Sequence, residues 1–337
     1  MEKPTMYRLF LALVLAMAQA VLAQTNLEKT TVAYKKIDGH EILADVYRPK
    51  DDRICPVIVH LHGGALIMGN RGLESPSLNA YRAQHPELPY FDLLEFAAKG
   101  GYAVVSIDYR LAPETKLPEI VSDVESAFRW IGVEGARRFH LDTDRMVVFG
   151  GSAGGYLTLL TGYRVSPKPK ALVSLYGYGQ LNADWYTKPN PYPGYTKQKV
   201  TREEAMRQTD GTIVSDSELR KGNGGLIYMY YRQNGLWTRE VNGFSQDSLA
   251  REIVQYEPAK NVTHDYPPTL LIHGTMDTDV PFEESVNMTE QFKENGVPYI
   301  FLPIQKGEHE LTGGDRTEIK DAYRSMMQFM TKYLETK

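Results

Sequence analysis

The amino-acid sequence predicts an α/β fold, in which a mostly parallel sheet is covered by helices on both faces. Short apolar runs rich in Val and Ile alternate with stretches of helical periodicity along most of the chain. The chain has 337 residues, 42% of them hydrophobic. An α/β fold of this length commonly forms one domain. Strands that are apolar along their whole length indicate a parallel sheet buried on both sides.

Seven segments are predicted as strands because they are short, apolar and bounded by turn residues. They are Ile42 to Val46, Pro56 to Leu61, Tyr102 to Ile107, Met146 to Phe149, Ala171 to Tyr176, Thr269 to Ile272 and Tyr299 to Ile304. Helical periodicity predicts helices around Phe91 to Ala98, Ile120 to Ile131 and Tyr156 to Leu160, and a closing helix from Asp315 onward.

One long segment interrupts this alternation. Between about Tyr178 and Lys260 the composition shifts to Tyr, Trp, Asn, Lys, Gly and Pro, and the segment is too long for a simple connection. We predict a cap or lid of short helices over residues 178–260; the alternative is a peripheral decoration without a substrate role. Some of its aromatic side chains either line a substrate pocket or form the cap's own core, namely Trp185, Tyr186, Trp237 and Tyr228 to Tyr231.

The first 23 residues have the pattern of a secretory signal peptide. Lys3 and Arg8 flank an apolar run, Leu9 to Ala23, that is shorter than the roughly 20 residues of a membrane span and ends in small residues. We therefore predict a signal peptide over 1–23, one α/β domain over 24–337, and a secreted or periplasmic protein. Cleavage after Ala20 and an uncleaved anchor are the alternatives.

The charge and cysteine content exclude several classes of function. The formal net charge is −4 and the pI is about 6.1, so no basic surface favours nucleic acid or an anionic membrane. Cys55 is the only cysteine, so an internal disulfide is impossible. It precedes the apolar run Val57-Ile58-Val59, which favours buried packing over a reactive thiol. We expect no nucleic-acid partner and no integral membrane span after signal removal. The sequons at Asn261 and Asn287 matter only in a eukaryotic host.

The candidate nucleophile is Ser152, within Gly150-Gly151-Ser152-Ala153-Gly154. This G-x-S-x-G pattern places a serine on a sharp turn between a strand and a helix, where small neighbours avoid collisions. Here the pattern follows a predicted strand and opens a predicted helix, as the chemistry requires. A plain glycine-rich turn is the alternative.

The candidate oxyanion hole is His62-Gly63-Gly64-Ala65, which follows the strand ending at Leu61. Attack on a carbonyl places negative charge on its oxygen, and fixed backbone N–H groups stabilise that charge. We expect donors from Gly64, Ala65 and Ala153. His62 is expected to order this loop, and an ordinary glycine-rich loop is the alternative.

A serine hydroxyl needs an imidazole base, and the imidazole needs a carboxylate to orient it. In such folds the order along the chain is serine, acid, histidine. Of the eight histidines, His40, His60, His62, His85 and His140 precede Ser152, and His264 and His273 precede the candidate acid. His309, after the last strand, is therefore the predicted base and Asp277 the predicted acid, with Asp279 as rival. Glu308 and Glu310 are expected to be solvated neighbours.

These motifs, in this order, resemble the α/β-hydrolase superfamily, and within it the hormone-sensitive-lipase-like esterases. The resemblance runs from about Pro56 to His309 and includes Asp108 to Glu114, read as D-Y-R-L-A-P-E, and His273 to Asp277 with Val280-Pro281. The long insertion also resembles that of exported hydrolases related to prolyl oligopeptidase catalytic domains. Many members carry Asp where Gly151 stands and a third Gly where Ala65 stands. The resemblance implies an α/β-hydrolase fold and a structural role for Asp108 and Arg110.

The residues and the resemblance together imply a serine hydrolase that cleaves carboxylic esters of small molecules without a metal or organic cofactor. A serine peptidase using the same triad is the nearest alternative, although 337 residues leave little room for the large propeller of prolyl oligopeptidases. A binding module on an inactive hydrolase fold is a second alternative. The acyl and alcohol groups of the substrate and the oligomeric state are not determined by the sequence.

Overall fold

An eight-stranded sheet forms the centre of the computed structural model, which describes residues 26–73, 83, 86, 89–244 and 246–336. The predicted signal peptide, residues 1–23, lies outside these described residues, as does His85. The strands are β1 (Leu27–Ile37), β2 (His40–Pro49), β3 (Cys55–Leu61), β4 (Ala103–Ile107), β5 (Leu141–Gly151), β6 (Ala171–Leu175), β7 (Thr269–Gly274) and β8 (Tyr299–Ile304).

The sheet has the order β1-β2-β4-β3-β5-β6-β7-β8. Neighbouring strands from β3 to β8 are parallel, whereas β2 is antiparallel to both β1 and β4. The predicted mostly parallel sheet is thus confirmed.

The helices connect these strands. They are α1 (Leu93–Gly100), α2 (Leu117–Trp130), α3 (Ala136–Phe139), α4 (Ala153–Arg164), α5 (Asp184–Thr187), α6 (Pro193–Thr196), α7 (Arg202–Met206), α8 (Gly225–Asn234), α9 (Trp237–Asn242), α10 (Gln246–Glu252), α11 (Glu283–Glu294) and α12 (Arg316–Glu335). A π-helical turn, Ile131–Gly135, joins α2 to α3, and short 3-10 turns cover Ser217–Leu219, Ile253–Tyr256, Pro258–Lys260 and His309–Leu311. Across the described ranges, no helix has the length and apolar character needed to cross a membrane.

Apolar side chains fill a core layer on each face of the sheet. On one face α1 and α12 pack through residues such as Leu94 and Met330, and on the other α2 and α4 pack through residues such as Phe128 and Leu160. Because both faces are covered, β4, β6 and β7 are buried along their whole length. The predicted helix-covered architecture is confirmed, and the single cysteine, Cys55, is buried within it.

The seven predicted strands all form, and β1 is an eighth that the sequence analysis missed. β1 pairs with β2 through a turn at Asp38 and Gly39, whose φ angles are 48° and 85°. An Asp-Gly pair with two positive φ angles is the usual signal of a tight hairpin. That signal was available in the sequence, as was the spacing of Val32 and Tyr34, two apolar residues two positions apart that the structure buries.

The segment predicted as a cap contains the short helices α5 to α10, between β6 and β7. Tyr186, Tyr231 and Trp237 are almost fully buried, and the rings of Tyr186 and Trp237 stack with centroids 3.8 Å apart. These three aromatic residues therefore belong to the core of the segment, whereas Trp185 and Tyr228 are only partly buried against it.

Candidate active site

Three loops meet at the carboxyl edge of the sheet. Ser152 follows β5, Asp277 follows β7 and His309 follows β8. Because these strands are parallel, their carboxyl ends lie at the same edge, where ligands bind in open α/β sheets. The structure thus brings to one place Ser152 and His309, which are 157 positions apart, and Asp277, which is 32 positions from His309.

Ser152 occupies a strained turn. Its φ is 54°, which a residue with a side chain rarely adopts, and α4 begins at the next residue. A Cβ atom on Gly150 would lie 2.7 Å from the Leu61 carbonyl oxygen, and one on Gly154 would lie 2.0 Å from it. Glycine is required at both positions because β3 passes directly beside the turn.

The three predicted side chains form a continuous chain of hydrogen bonds. His309 Nε2 lies 3.0 Å from Ser152 Oγ, and His309 Nδ1 lies 2.7 Å from Asp277 Oδ2. The Asp277 side chain is fully buried and that of His309 is 20% exposed. Asp277 Oδ1 accepts backbone N–H bonds from Asp279 and Val280 at 2.9 and 2.8 Å, which orient the carboxylate.

The charges of this pair shift both pKa values. Burial favours the neutral form of Asp277, but the adjacent His309 and the hydrogen bonds from His273 and His309 prevail and hold its pKa well below the usual range. Burial likewise opposes protonation of His309, but the charge and hydrogen bond of Asp277, with a contribution from Asp279, raise its pKa to about 9. The site therefore stabilises an imidazolium, the form that a general base adopts after taking a proton.

His273 is a positioning residue that the sequence analysis missed. It is fully buried, its Nδ1 lies 2.7 Å from Ser285 Oγ, and its Nε2 lies 3.0 Å from the Val280 carbonyl oxygen and 3.3 Å from Asp277 Oδ2. It therefore supports the loop that carries Asp277 and Val280. Its place at the end of β7, four residues before Asp277, was the available signal.

The predicted oxyanion loop passes beside Ser152. A Cβ atom on Gly63 would lie 3.5 Å from Ser152 Cβ. Gly64 and Ala65 have φ angles of 102° and 56°, and the loop closes on itself through the Ile67 amide, which donates to the Gly64 carbonyl oxygen at 2.9 Å. Within the described part of the chain, the backbone N–H groups of Gly64, Ala65 and Ala153 donate to no protein acceptor.

His62 holds this loop in place. Its Nδ1 lies 2.8 Å from the Gly63 carbonyl oxygen, and its ring stacks on Tyr109 with centroids 4.1 Å apart. The Tyr109 hydroxyl donates to the His62 carbonyl oxygen at 2.8 Å. Burial lowers the pKa of His62 to about 4, so the ring is neutral at pH 7 and acts as a donor to the loop. This is the ordering role expected from the sequence.

The D-Y-R segment also supports the loop, as the resemblance implied. Asp108 accepts the Arg71 backbone N–H at 2.7 Å and pairs with the Arg71 guanidinium at 2.6 Å. Arg110 pairs with the buried Asp123 at 2.7 Å. These pairs join the segment to the chain beyond the oxyanion loop and to α2.

Glu308 is not the solvated neighbour that was expected from the sequence. It is partly buried, and its carboxylate accepts hydrogen bonds from the Thr278 backbone N–H at 3.1 Å and hydroxyl at 2.8 Å. It therefore links the loop of the base to that of the acid instead of being a solvated neighbour. Glu310 is exposed, as expected.

The rival acid, Asp279, lies on the other side of the imidazole. Its Oδ2 is 3.7 Å from His309 Nε2, the nitrogen that faces Ser152, whereas Asp277 occupies the Nδ1 side. Asp277 therefore has the position of the orienting acid.

Tyr176 packs closely against Gly151. A Cβ atom on Gly151 would lie 3.0 Å from the Tyr176 ring. The same ring meets His309 edge-on, with centroids 5.0 Å apart. The sequence analysis did not identify Tyr176 as a neighbour of the site.

Among the residues that the structure describes, no three His, Cys, Asp or Glu side chains are grouped so that they could hold a metal ion.

Two family models match separate parts of the chain. The BD-FAE model matches residues 44–171, which include the oxyanion loop and Ser152. The prolyl oligopeptidase family model matches residues 222–337, which include Asp277 and His309.

Solved structures share the fold over most of their length. A protein of unknown function from Staphylococcus aureus subsp. aureus Mu50 is 24% identical, with a TM-score of 0.67 over 90% of this chain and 99% of that one. An alpha/beta hydrolase superfamily protein from Enterococcus faecalis is 21% identical, with a TM-score of 0.65 and the same coverage. Thermogutta terrifontis esterase 2, phosphonylated by cyclosarin, is 21% identical, with a TM-score of 0.59 over 92% of this chain and 96% of that one.

The curated relatives are much longer proteins. The non-reducing polyketide synthase Preu6 of Preussia isomera is 28% identical over 322 residues, and the match covers 86% of this chain but 14% of the synthase. The non-reducing polyketide synthase atr1 of Stereocaulon alpinum is 26% identical, and the match covers 82% of this chain and 12% of that protein. This chain thus spans about a seventh of the length of the curated relatives it matches.

Proposed function

Because the chain belongs to the α/β-hydrolase superfamily, we propose that it is a serine hydrolase that cleaves carboxylic esters through Ser152, His309 and Asp277. The observation that carries this proposal is the continuous hydrogen-bond chain from hydroxyl to imidazole to carboxylate, at 3.0 and 2.7 Å. It is the arrangement that a hydroxyl needs in order to become a nucleophile.

The reaction has two halves. His309 Nε2 takes the Ser152 proton while Oγ attacks the ester carbonyl, and the negative charge passes to the carbonyl oxygen beside the amides of Gly64, Ala65 and Ala153. The tetrahedral intermediate collapses, the imidazolium donates its proton to the departing alcohol, and an acyl-enzyme remains. Water, deprotonated by His309, then attacks the acyl carbon, and collapse of the second intermediate releases the acid and restores the serine hydroxyl.

The decisive variant is Ser152→Ala. We expect it to lower kcat for a p-nitrophenyl ester on the order of 10⁴-fold or more, because both half-reactions pass through the serine oxygen. Circular dichroism should show an intact fold, and a fluorophosphonate probe should label the wild type but not the variant. The probe suits the fold, since the esterase from Thermogutta terrifontis is phosphonylated by cyclosarin.

The matched control is Ser325→Ala on α12, which removes a serine hydroxyl that donates to the Asp321 carbonyl oxygen, away from the site. It should retain both turnover and labelling. Turnover that survives in the Ser152 variant would contradict the proposal.

A serine peptidase is the second candidate, because the prolyl oligopeptidase family model covers both Asp277 and His309. Esters are favoured because several proteins of the same fold are esterases, among them an arylesterase and a carbohydrate esterase from gut microbiota. Parallel measurement of kcat/KM on a phenyl ester and on an aminoacyl anilide separates the two candidates. Faster cleavage of the anilide would favour the peptidase.

A further inference from the structure

Asp279 lies beside the atoms that react. Its Oδ2 is 3.7 Å from His309 Nε2, and the same nitrogen is 3.0 Å from Ser152 Oγ. The Asp279 side chain is 17% exposed, so it is neither a fully solvated group nor part of the closed core. The hydrogen-bond chain that we propose for catalysis does not include it.

The two oxygens of this carboxylate have different surroundings. Oδ1 accepts hydrogen bonds from the hydroxyls of Tyr195 and Tyr228, at 2.6 and 2.5 Å, and lies 3.5 Å from Arg232 Nη2. Oδ2 accepts no hydrogen bond from the part of the chain that the structure describes, and it is the oxygen that faces the imidazole. Tyr195, Tyr228 and Arg232 all belong to the 178–260 segment, so this segment holds the carboxylate in one orientation.

The departing alcohol of the proposed reaction must approach the nitrogen that Oδ2 faces. In the first half-reaction the alcohol oxygen takes its proton from His309 Nε2, so it must come within hydrogen-bond distance of that nitrogen. A hydroxyl one carbon further along the alcohol is then within reach of Oδ2. The negative charge of Asp279 disfavours the negative charge that develops on the departing alcohol oxygen. A hydroxyl that donates to Oδ2 reduces this repulsion.

We propose that Asp279 is a specificity-determining residue that accepts a hydrogen bond from a hydroxyl of the leaving alcohol, on the carbon adjacent to the one that bears the ester oxygen. The preferred substrates are then monoesters of vicinal diols. The group is a neutral hydroxyl and not a cation, because Arg232 already balances the charge of Asp279. This inference rests on the proposed esterase function and names its substrate class.

The test compares the 2-hydroxyethyl ester and the 2-methoxyethyl ester of the same acid. Only the first has a hydroxyl that can donate to Asp279, and the two alcohols are similar as leaving groups. The wild type should show a kcat/KM about 10-fold higher for the hydroxyethyl ester, because a partly buried acceptor is left without a donor when the methoxy analogue binds. Asp279→Ala should bring the ratio close to one. Asp279→Asn keeps a neutral acceptor and the shape of the residue, and should give an intermediate ratio.

The readout is the ratio of kcat/KM for the two esters, because any effect of Asp279 on His309 changes the cleavage of both esters equally. Fluorophosphonate titration counts the folded active sites of each variant. Glu310→Gln is the matched control: it removes another carboxylate that acts on His309, and it should keep the wild-type ratio.

Equal rates for the two esters in the wild type, or an undiminished preference in both Asp279 variants, would overturn the inference. Neither result touches the proposed function, which is tested separately by the turnover of Ser152→Ala and by the comparison of ester with anilide.

Discussion

His309 lies between two carboxylates, with Asp277 at Nδ1 and Asp279 near Nε2. Both charges stabilise the imidazolium that forms during attack. They also make the neutral imidazole, the form that accepts the Ser152 proton, harder to reach at low pH. Asp277 and Asp279 therefore make His309 a stronger base and also raise the pH at which its imidazole becomes neutral.

We predict that kcat/KM for a p-nitrophenyl ester increases with pH until the imidazole is neutral. Because the two carboxylates raise the pKa of His309 to about 9, the protonated and inactive form prevails below that pH and is lost above it. A pH profile of kcat/KM across the neutral and alkaline range measures this limb directly.

Two results bear on that profile. Glu310→Gln removes an exposed negative charge that also raises the pKa, so its limb should move to lower pH. A wild-type plateau already reached near the ordinary imidazole pKa of about 6.5 would show that the carboxylates do not act as described.

At the scale of elements, Arg232 on α8 ties the 178–260 segment to the acid loop. Its guanidinium is 1% exposed, donates to the carbonyl oxygens of Trp185 and Asp279, and lies against the rings of Trp185, Tyr186 and Tyr195 at about 5 Å from their centroids. Glu284 on α11 adds a second tie.

Glu284 accepts the backbone N–H groups of Gly179 and Gln180 and the Trp185 indole N–H, all at 3.0 Å. Burial raises the pKa of Glu284 to about 7 even though these donors oppose the shift. The start of the segment is therefore held by a buried carboxyl of the hydrolase domain, and its middle by the Arg232 cation. The tie between Glu284 and Gly179 spans 105 positions of the chain, and the tie between Arg232 and Asp279 spans 47.

Arg232→Ala should lower the free energy of unfolding by about 3 to 5 kcal/mol, because it leaves Asp279 uncompensated and two carbonyl groups without their donor. Urea unfolding followed by tryptophan fluorescence measures the change, since Trp185 lies against the substituted side chain. Arg239→Ala, in an exposed pair with Glu240 in the same segment, is the control and should change little. Equal stability of the two variants would show that Arg232 is not an anchor.

On the scale of the whole molecule, the sheet separates two core layers that do not share side chains. Phe128 on α2 belongs to one layer and Met330 on α12 to the other, and both are fully buried. The site lies at the carboxyl edge between the layers, so its geometry depends on both.

Phe128→Ala should cost about 3 to 5 kcal/mol of unfolding free energy and Met330→Ala about 2 to 5, because each leaves a cavity in a closed layer. The double variant should cost the sum of the two, since the residues lie on opposite faces and share no neighbours. Urea unfolding of the three variants checks this. A strongly non-additive double variant would indicate that the layers are coupled through the sheet.

The sequence by itself determined the local features of this protein. The apolar strands, the glycines around Ser152 and the order of serine, acid and histidine follow from short-range patterns, because a turn or a strand depends on residues next to one another. The hairpin turn at Asp38 and Gly39, which makes β1, was also local and was overlooked.

Only the tertiary structure decided which side chains meet across long separations. Asp279 accepts hydrogen bonds from Tyr195 and Tyr228, which are 84 and 51 residues away along the chain. Sequence patterns carry no information on such contacts, because they arise when packing of the core brings remote segments together. The turn that carries Ser152 was therefore predictable, whereas the contacts of Asp279 beside it were not.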